Sequence, residues 1–386
     1  MIVVYHGIRP FEQSRHLGLL DAYGKRIPVV YVDPLNVTAR GGQPGPVPGG
    51  RALPNLEHAG VYRARLRRLV PGGRIRALSL ANRWLAMFEL LSGVRRRANG
   101  RSVVLVAQQP DLLPTLRGLP ADLTVYEVRD DYAGLAIDSV ARERMARAHA
   151  RMLRSSDMVL AISERLVDDI RPARPDVELT GVGVEDEFFA ASEAPDASPI
   201  FSGIPRPRIG TIGNLNDRVD WELLERIAKS HPDWSVVIIG PVYRAGPTTS
   251  AAVERLRTLP NVHLPGAIEP EAMPAATAAL DVCLIPYRIS QAVERINPLK
   301  LYQYLAVGKP VVSTAIPAVR PFADVVAWTD TADAFVTAVE IAVRETHDAG
   351  RREARRHVAS QFKWTSIADH QIAIYRRALD ARGRQR

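Results

Sequence analysis

The sequence predicts an α/β protein of two doubly wound domains, each a parallel sheet covered by helices, with a cleft between them. Three observations predict it. The chain has 386 residues, more than one hydrophobic core ordinarily serves. Short apolar runs alternate with helix-length stretches, the pattern of a parallel sheet with helices on both faces. A stretch rich in Pro, Ser and Ala, AASEAPDASPIFSGIPRP (190–207), splits that alternation into two series and reads as a linker. The expected division is an N-terminal domain over 1–190 and a C-terminal domain over 206–363.

In the first series, IVVYH (2–6) is an apolar run followed by Gly7, a buried strand feeding a turn. Residues 12–24 read as a helix, and PVVYVDP (28–34) as a strand stopped by Pro34. The tract GGQPGPVPGG (41–50) is a loop, without the Lys-Ser/Thr ending of a phosphate-cradling P-loop. Residues 75–98 read as an amphipathic helix, with Trp84, Leu85 and Phe88 near one face and Arg74, Arg76, Arg83 and Arg95 to Arg97 around it. SVVLVA (102–107), LTVYEV (123–128) and MVLAIS (158–163) are further strands, with a helix over 139–154.

The second series opens with RIGTIG (208–213), a strand ending in a glycine turn. WSVVIIG (234–240), NVHLPG (261–266), VCLIPY (282–287), KPVVST (309–314) and DVVAW (324–328) continue it. Helices fit at 219–230, 250–258, 270–279, 297–306 and 332–345, and the chain ends in helical stretches near 349–360 and 364–381.

Composition excludes several classes. With 46% hydrophobic and 24% charged residues the chain is globular rather than disordered. Its one cysteine, Cys283, permits no internal disulfide and no cysteine-based zinc cluster, and its place in an apolar strand makes it a core residue. No apolar run approaches the roughly 18 residues needed to span a bilayer. The start MIVVYHGIRPFEQ lacks the basic and long apolar regions of a secretory signal, so a cytoplasmic protein is expected, at the inner face of the cell membrane if its basic segment docks there.

The formal net charge is +9, unevenly spread. Residues 51–101 hold 12 Arg against Glu57 and Glu89, and residues 344–386 hold 10 Arg and Lys363 against five acids, so the rest of the chain is net acidic. Such a basic patch suits a polyanionic partner, nucleic acid or anionic lipid. The aromatic residues Trp84 and Phe88 lie on the helix's apolar face rather than spread as base-stacking platforms, which favours an anionic membrane surface met through 62–101 and no nucleic acid.

Chemistry concentrates in IPYRISQAVERINPLKLYQYLAVGKPVV (285–312). Pro298 suits the first turn of a helix, where its missing N–H costs nothing. A helix N-terminus offers free N–H donors to a phosphate. Lys300 adds a point charge, and Gln303 follows one turn later on the same face. A cation and a polar group at this spacing suit the diphosphate and ribose of a nucleotide. The alternative for Lys300 is a surface salt bridge.

Residues 297–312, NPLKLYQYLAVGKPVV, with IPY (285–287) and RIGTIGNL (208–215), resemble the GT-B glycosyltransferases, specifically the glycosyltransferase-4-like enzymes of bacterial polysaccharide assembly. The resemblance spans about 140 residues, 206–345, and implies two Rossmann-like domains. It implies that the C-terminal domain binds a nucleotide-sugar donor through Gly213, Asn214, Gly240, Tyr287, Asn297, Lys300 and Gln303, with Gly213–Asn214 presenting backbone N–H groups to the diphosphate. The N-terminal domain would bind a glycan or lipid-linked acceptor, and the last helix, 364–386, would pack back on it. The family's usual pair of Glu spaced E-x7-E has Arg295 and Gln303 at its two positions, with Glu294 beside the first. The form L-K-L-Y-Q-Y is also similar to the xanthan-type glucuronosyltransferase, an inverting, membrane-associated GT-B enzyme.

In the first domain, Arg129–Asp130–Asp131 lie just beyond the apolar strand LTVYEV, where ligands bind in such sheets. A transferase needs a base for the acceptor hydroxyl, and a carboxylate whose pKa is raised by a like charge or by burial can serve. The xanthan-type resemblance places the catalytic Asp at Asp130, with Asp131 as the alternative. Either carboxylate could instead N-cap the following helix. The loop HGIRPFEQSRH (6–16) offers Gly7, Arg9, Gln13 and Arg15 to the acceptor, or else these residues form an exposed first helical turn. No D-x-D triplet and no cluster with metal-ligand spacing occurs, so no metal and no cofactor beyond the nucleotide-sugar co-substrate is expected. Two other classes use the same resemblance, a UDP-sugar 2-epimerase-like enzyme and a non-catalytic sugar-nucleotide or polyanion binder.

Overall fold

The computed structural model describes residues 1–6, 17–32, 60–64, 94–110, 121–136, 138–194, 198–242 and 246–384. Gly7, Arg9, Gln13 and Arg15, the tract 41–50 and most of 62–101 lie outside the described residues. The chain forms two compact units, Met1–Gly181 with Trp364–Arg386, and Val182–Lys363.

The first unit runs β1 (Ile2–His6), α1 (Leu17–Gly24), β2 (Val29–Val32), β3 (Val61–Ala64), β4 (Val103–Ala107), β5 (Leu123–Val128), α2 (Ser139–Ser155), β6 (Met158–Ala161), α3 (Glu164–Ile170) and β7 (Glu178–Leu179). Its sheet is ordered β3-β2-β1-β4-β5-β6-β7, with every pair parallel. The β1, β2 and β4 strands are buried at every position, as expected of Val- and Ile-rich runs covered on both faces.

The second unit runs α4 (Asp186–Ala191), β8 (Arg208–Ile212), α5 (Trp221–Ser230), β9 (Ser235–Ile239), α6 (Pro247–Arg257), β10 (Val262–Gly266), α7 (Met273–Ala278), β11 (Val282–Ile285), α8 (Gln291–Glu294), α9 (Leu299–Ala306), β12 (Val311–Thr314), β13 (Ala327–Thr329), α10 (Ala332–Arg344) and α11 (Ala349–Ser360). Its parallel sheet is ordered β10-β9-β8-β11-β12-β13. The order reverses between β8 and β11, and in sheets of this kind ligands bind outside the carboxyl ends of the strands at that point.

The stretch 190–207 lies within the second unit. The linker expected there is instead part of that unit: α4 runs to Ala191, Pro199–Phe201 form a 3-10 turn, and several of its carbonyls are engaged. Arg208 donates from Nε to Ile204 O at 3.0 Å and from Nη2 to Phe201 O at 3.3 Å, and Arg206 pairs with Asp281. Phe201 is buried beneath the Arg208 guanidinium. The chain passes between the units at 181–182 and again at 363–364.

The last helix, α12 (Trp364–Gly383), belongs to the first unit and packs on α1. Gly18 allows the approach, since a Cβ there would fall 2.2 Å from Trp364 Cδ1. Trp364, Ile367, Ile372, Ile374 and Tyr375 are buried.

Candidate functional site

In the second unit, β8 and β9 end in facing turns at Gly213 and Gly240. Both have φ in the left-handed half of the map, +135° and +144°. A Cβ on Gly240 would lie 1.8 Å from Gly213 O, so glycine alone fits there. The Gly213 N–H donates to Ile239 O at 2.9 Å. The amide of Gly213 is therefore spent in the sheet rather than offered to a ligand, and the glycine's contribution is room: a Cβ there would sit 3.5 Å from Lys300 Cε and Nζ. The next amide, Asn214 N–H, has no partner among the described residues.

Lys300 stands in the first turn of α9 and reaches under these turns. Its Nζ donates to Thr211 Oγ1 at 3.1 Å and lies 5.2 Å from the centre of the Tyr287 ring, within cation–π range. The residue is only 8% exposed, and among the described residues no carboxylate pairs with it, so the surface salt bridge does not occur. A buried ammonium that lacks a counter-charge favours an anion beside it.

Gln303 lies one turn on, 8% exposed, with no side-chain hydrogen bond among the described residues. Asn297 is engaged locally, its Oδ1 accepting from Tyr302 OH at 3.0 Å. Burial pushes the Tyr302 hydroxyl up to about 12 against that bond. Pro298 is the residue before α9 rather than within its first turn, with ψ at 113°. Tyr287 is fixed through its backbone, its N–H donating to Thr314 Oγ1 at 3.2 Å.

Contacts thus join Gly213, Gly240, Tyr287 and Lys300, and add two residues that the sequence reading missed. Thr211 holds the ammonium. Tyr304 OH accepts from Ile212 N at 2.8 Å and so ties α9 to the end of β8. The signal for Thr211 was present as the polar residue inside the apolar run RIGTIG.

In the first unit, Asp130 and Asp131 follow β5 and are half-buried. Asp131 Oδ1 accepts from Gly134 N at 2.8 Å and closes a local turn. Neither caps α2; that role belongs to Asp138, whose Oδ1 accepts from Ala141 N at 2.7 Å. The Asp130 charge adds to burial in raising the Tyr132 hydroxyl well above its ordinary pKa.

Beneath this turn lies a buried polar network, also missed from sequence. Glu127, on β5, is fully buried. Its Oε1 takes Arg129 Nη1 at 3.1 Å and Gln371 Nε2 at 3.0 Å. Its Oε2 takes Tyr5 OH at 3.2 Å and Gln108 Nε2 at 2.9 Å. Burial works against the Arg129 charge, but the Glu127 carboxylate together with the Tyr5 and Tyr132 hydroxyls offsets it and leaves the guanidinium pKa raised.

Residues 206–345 match the family described as Glycosyl transferases group 1. Over 286 residues, 70% of this chain and 71% of the other, the sequence is 28% identical to a protein of Bacillus subtilis (strain 168) named as a teichuronic acid biosynthesis glycosyltransferase, TuaH. By this match residues 206–345 are a glycosyltransferase domain, and the chain as a whole has the two-domain GT-B fold.

Solved structures agree on the fold of the transferase. Sucrose-phosphate synthase from Thermosynechococcus elongatus superposes with a TM-score of 0.69 at 15% identity, covering 99% of this chain and 100% of that one. The α,α-trehalose 6-phosphate synthase of Burkholderia multivorans gives 0.66 at 13% identity, covering 100% and 98%. Anabaena HepE, solved in complex with UDP, gives 0.63 at 15% identity, covering 97% and 98%. Every donor candidate of the transferase, from Gly213 to Gln303, falls inside the matched stretch 206–345.

Proposed function

We propose that the transferase moves a sugar from a nucleotide-sugar donor to a glycan or lipid-linked acceptor in bacterial cell-surface polysaccharide or glycoconjugate assembly, without a metal ion. The observation that carries the donor half is Lys300, a buried ammonium with no carboxylate partner among the described residues, beside Gly213 at the carboxyl end of β8. It would meet the donor diphosphate, helped by the unpaired Asn214 N–H, and Gln303 would hydrogen-bond the ribose. The charge that a metal would neutralise on the leaving group is met by this cation.

Transfer forms a bond between an acceptor oxygen and the sugar's anomeric carbon and breaks that carbon's bond to phosphate. The electron pair leaves with the nucleoside diphosphate. Asp130 takes the hydroxyl proton, because Asp131 is committed to Gly134.

The enzyme works at the cytoplasmic face of an anionic membrane in this reading. Arg95, Arg96 and Arg97, in the basic segment, are exposed, and α2 carries a second row of exposed arginines. No helix among the described residues is long and apolar enough to cross a membrane.

Titrating UDP and GDP into wild type and Lys300→Ala tests the donor half. The substitution should weaken the preferred nucleoside diphosphate by roughly 10- to 100-fold, the worth of one charge-assisted hydrogen bond. Unchanged affinity would overturn the reading.

A further inference from the structure

Arg129 is only 6% exposed, yet one partner accounts for its engagement, Glu127 Oε1 at 3.1 Å. A guanidinium carries five N–H donors. The others have no partner among the described residues and are not sealed from solvent, so they are open to a ligand. Glu127 cannot take more of them, because its two oxygens already accept from Gln371, Tyr5 and Gln108 as well. This saturated carboxylate holds Arg129 in place and leaves the outer part of its fork unused.

A second observation points to the same spot. Three residues on, the Tyr132 hydroxyl is buried and has no hydrogen-bond partner among the described residues. Tyr132 and Arg129 lie within electrostatic reach of each other, each acting on the other's ionisation. Both stand at the carboxyl end of β5, the edge where ligands bind in a sheet of this type. Two donors, one cationic and one a hydroxyl, thus lie within electrostatic reach of each other, with Asp130 between them in the chain.

We propose that Arg129 and Tyr132 form a binding site for an oxyanion of the acceptor, a phosphate or a carboxylate, with Glu127 as the residue that positions Arg129. A planar fork suits either anion in a two-bond contact. The inference deepens the reading of the first unit as the acceptor half and rests on it. It implies that the acceptor is an anionic sugar or a phosphate-bearing carrier, with the negative group held a short distance from the attacking hydroxyl.

The test uses the full chain carrying Lys300→Ala, so that the donor-side cation does not compete for anions. Sodium phosphate and sodium glucuronate are titrated by calorimetry at fixed ionic strength. Tyr132→Phe and Arg129→Lys are then added singly. Tyr132→Phe removes an oxygen that makes no hydrogen bond among the described residues, and Arg129→Lys keeps the charge on Glu127 while losing the fork.

At least one anion should bind, and each added substitution should weaken it tenfold or more. Loss of the phosphate signal identifies a phosphorylated acceptor, and loss of the glucuronate signal a uronic-acid one. Failure of both anions to bind, or equal binding by all variants, overturns the proposal. Because no turnover is measured, these outcomes are independent of whether Lys300→Ala itself weakens nucleotide, which judges the donor reading alone.

Discussion

Adjacent carboxylates rarely share one job, and local geometry separates Asp130 from Asp131. The Asp131 side chain closes a turn onto Gly134 N at 2.8 Å, and a Cβ at Gly134 would fall 2.3 Å from Asp131 Oδ2, so that carboxylate is held tightly. Asp131→Ala should therefore cost about 1 kcal/mol of stability, as loss of a capping bond does, and lower turnover mainly through the displaced turn. Asp130→Asn should leave nucleoside diphosphate affinity unchanged while turnover falls by a factor on the order of 100 to 10,000, far more than any loss of stability accounts for. Thermal melts beside initial rates separate the two; equal loss of turnover without loss of stability in both would remove the distinction. The pair was readable from sequence as candidates because two Asp follow an apolar strand. Which one caps what was not readable, because Asp138, the true cap of α2, is seven residues further along.

At the scale of the element, helices and strands were legible wherever hydrophobic periodicity was strong, and their ends moved where backbone chemistry intervened. The 270–279 helix begins as a 3-10 turn over Pro270–Ala272 before α7, and α9 starts at Leu299 because Pro298 keeps extended ψ. Helix α2 is the most informative element for what the charge does. Its inner face buries Ala148, Met152 and Leu153. Val140, Arg144, Arg147, Arg151 and Arg154 are exposed and recur at steps of four and three, one stripe on the opposite face. Among the described residues only Arg147 in that stripe pairs with a carboxylate, Glu143. A row of exposed guanidiniums beside an exposed valine suits lipid phosphates, each cation contributing about 1 kcal/mol near an anionic surface. Replacing Arg144, Arg151 and Arg154 together by Gln should lower sedimentation with anionic vesicles by at least tenfold. Wild-type binding should fade as salt rises. Equal binding of wild type to neutral and anionic vesicles would sink the assignment.

The whole molecule is organised by a return that composition could not reveal. Two parallel sheets follow from the alternation of apolar runs, but which unit receives the last helix depends on packing between residues more than 340 positions apart. Gln371 is the clearest case. As one polar residue in HQIAIY it carries no sequence signal, yet it is 1% exposed and bonds Glu127, Thr180 and Tyr23 at once. Its partners tie α12 to β5, to the end of the first-unit sheet and to α1. Burial of Trp364, Ile367, Ile372, Ile374 and Tyr375 adds apolar stabilisation of about 2 kcal/mol per side chain. Gln371→Leu should thus cost about 2 to 3 kcal/mol, since it strips a donor from a buried carboxylate and leaves the Tyr23 hydroxyl short of a partner. A chain ending at Lys363 removes the whole contact while leaving the second unit's residues complete. It should lose the calorimetric transition of the first unit, along with anion binding at Arg129. The second unit should keep its own transition and its affinity for nucleoside diphosphate. An unchanged melting profile after truncation would mean that α12 is an accessory rather than part of the first unit's core.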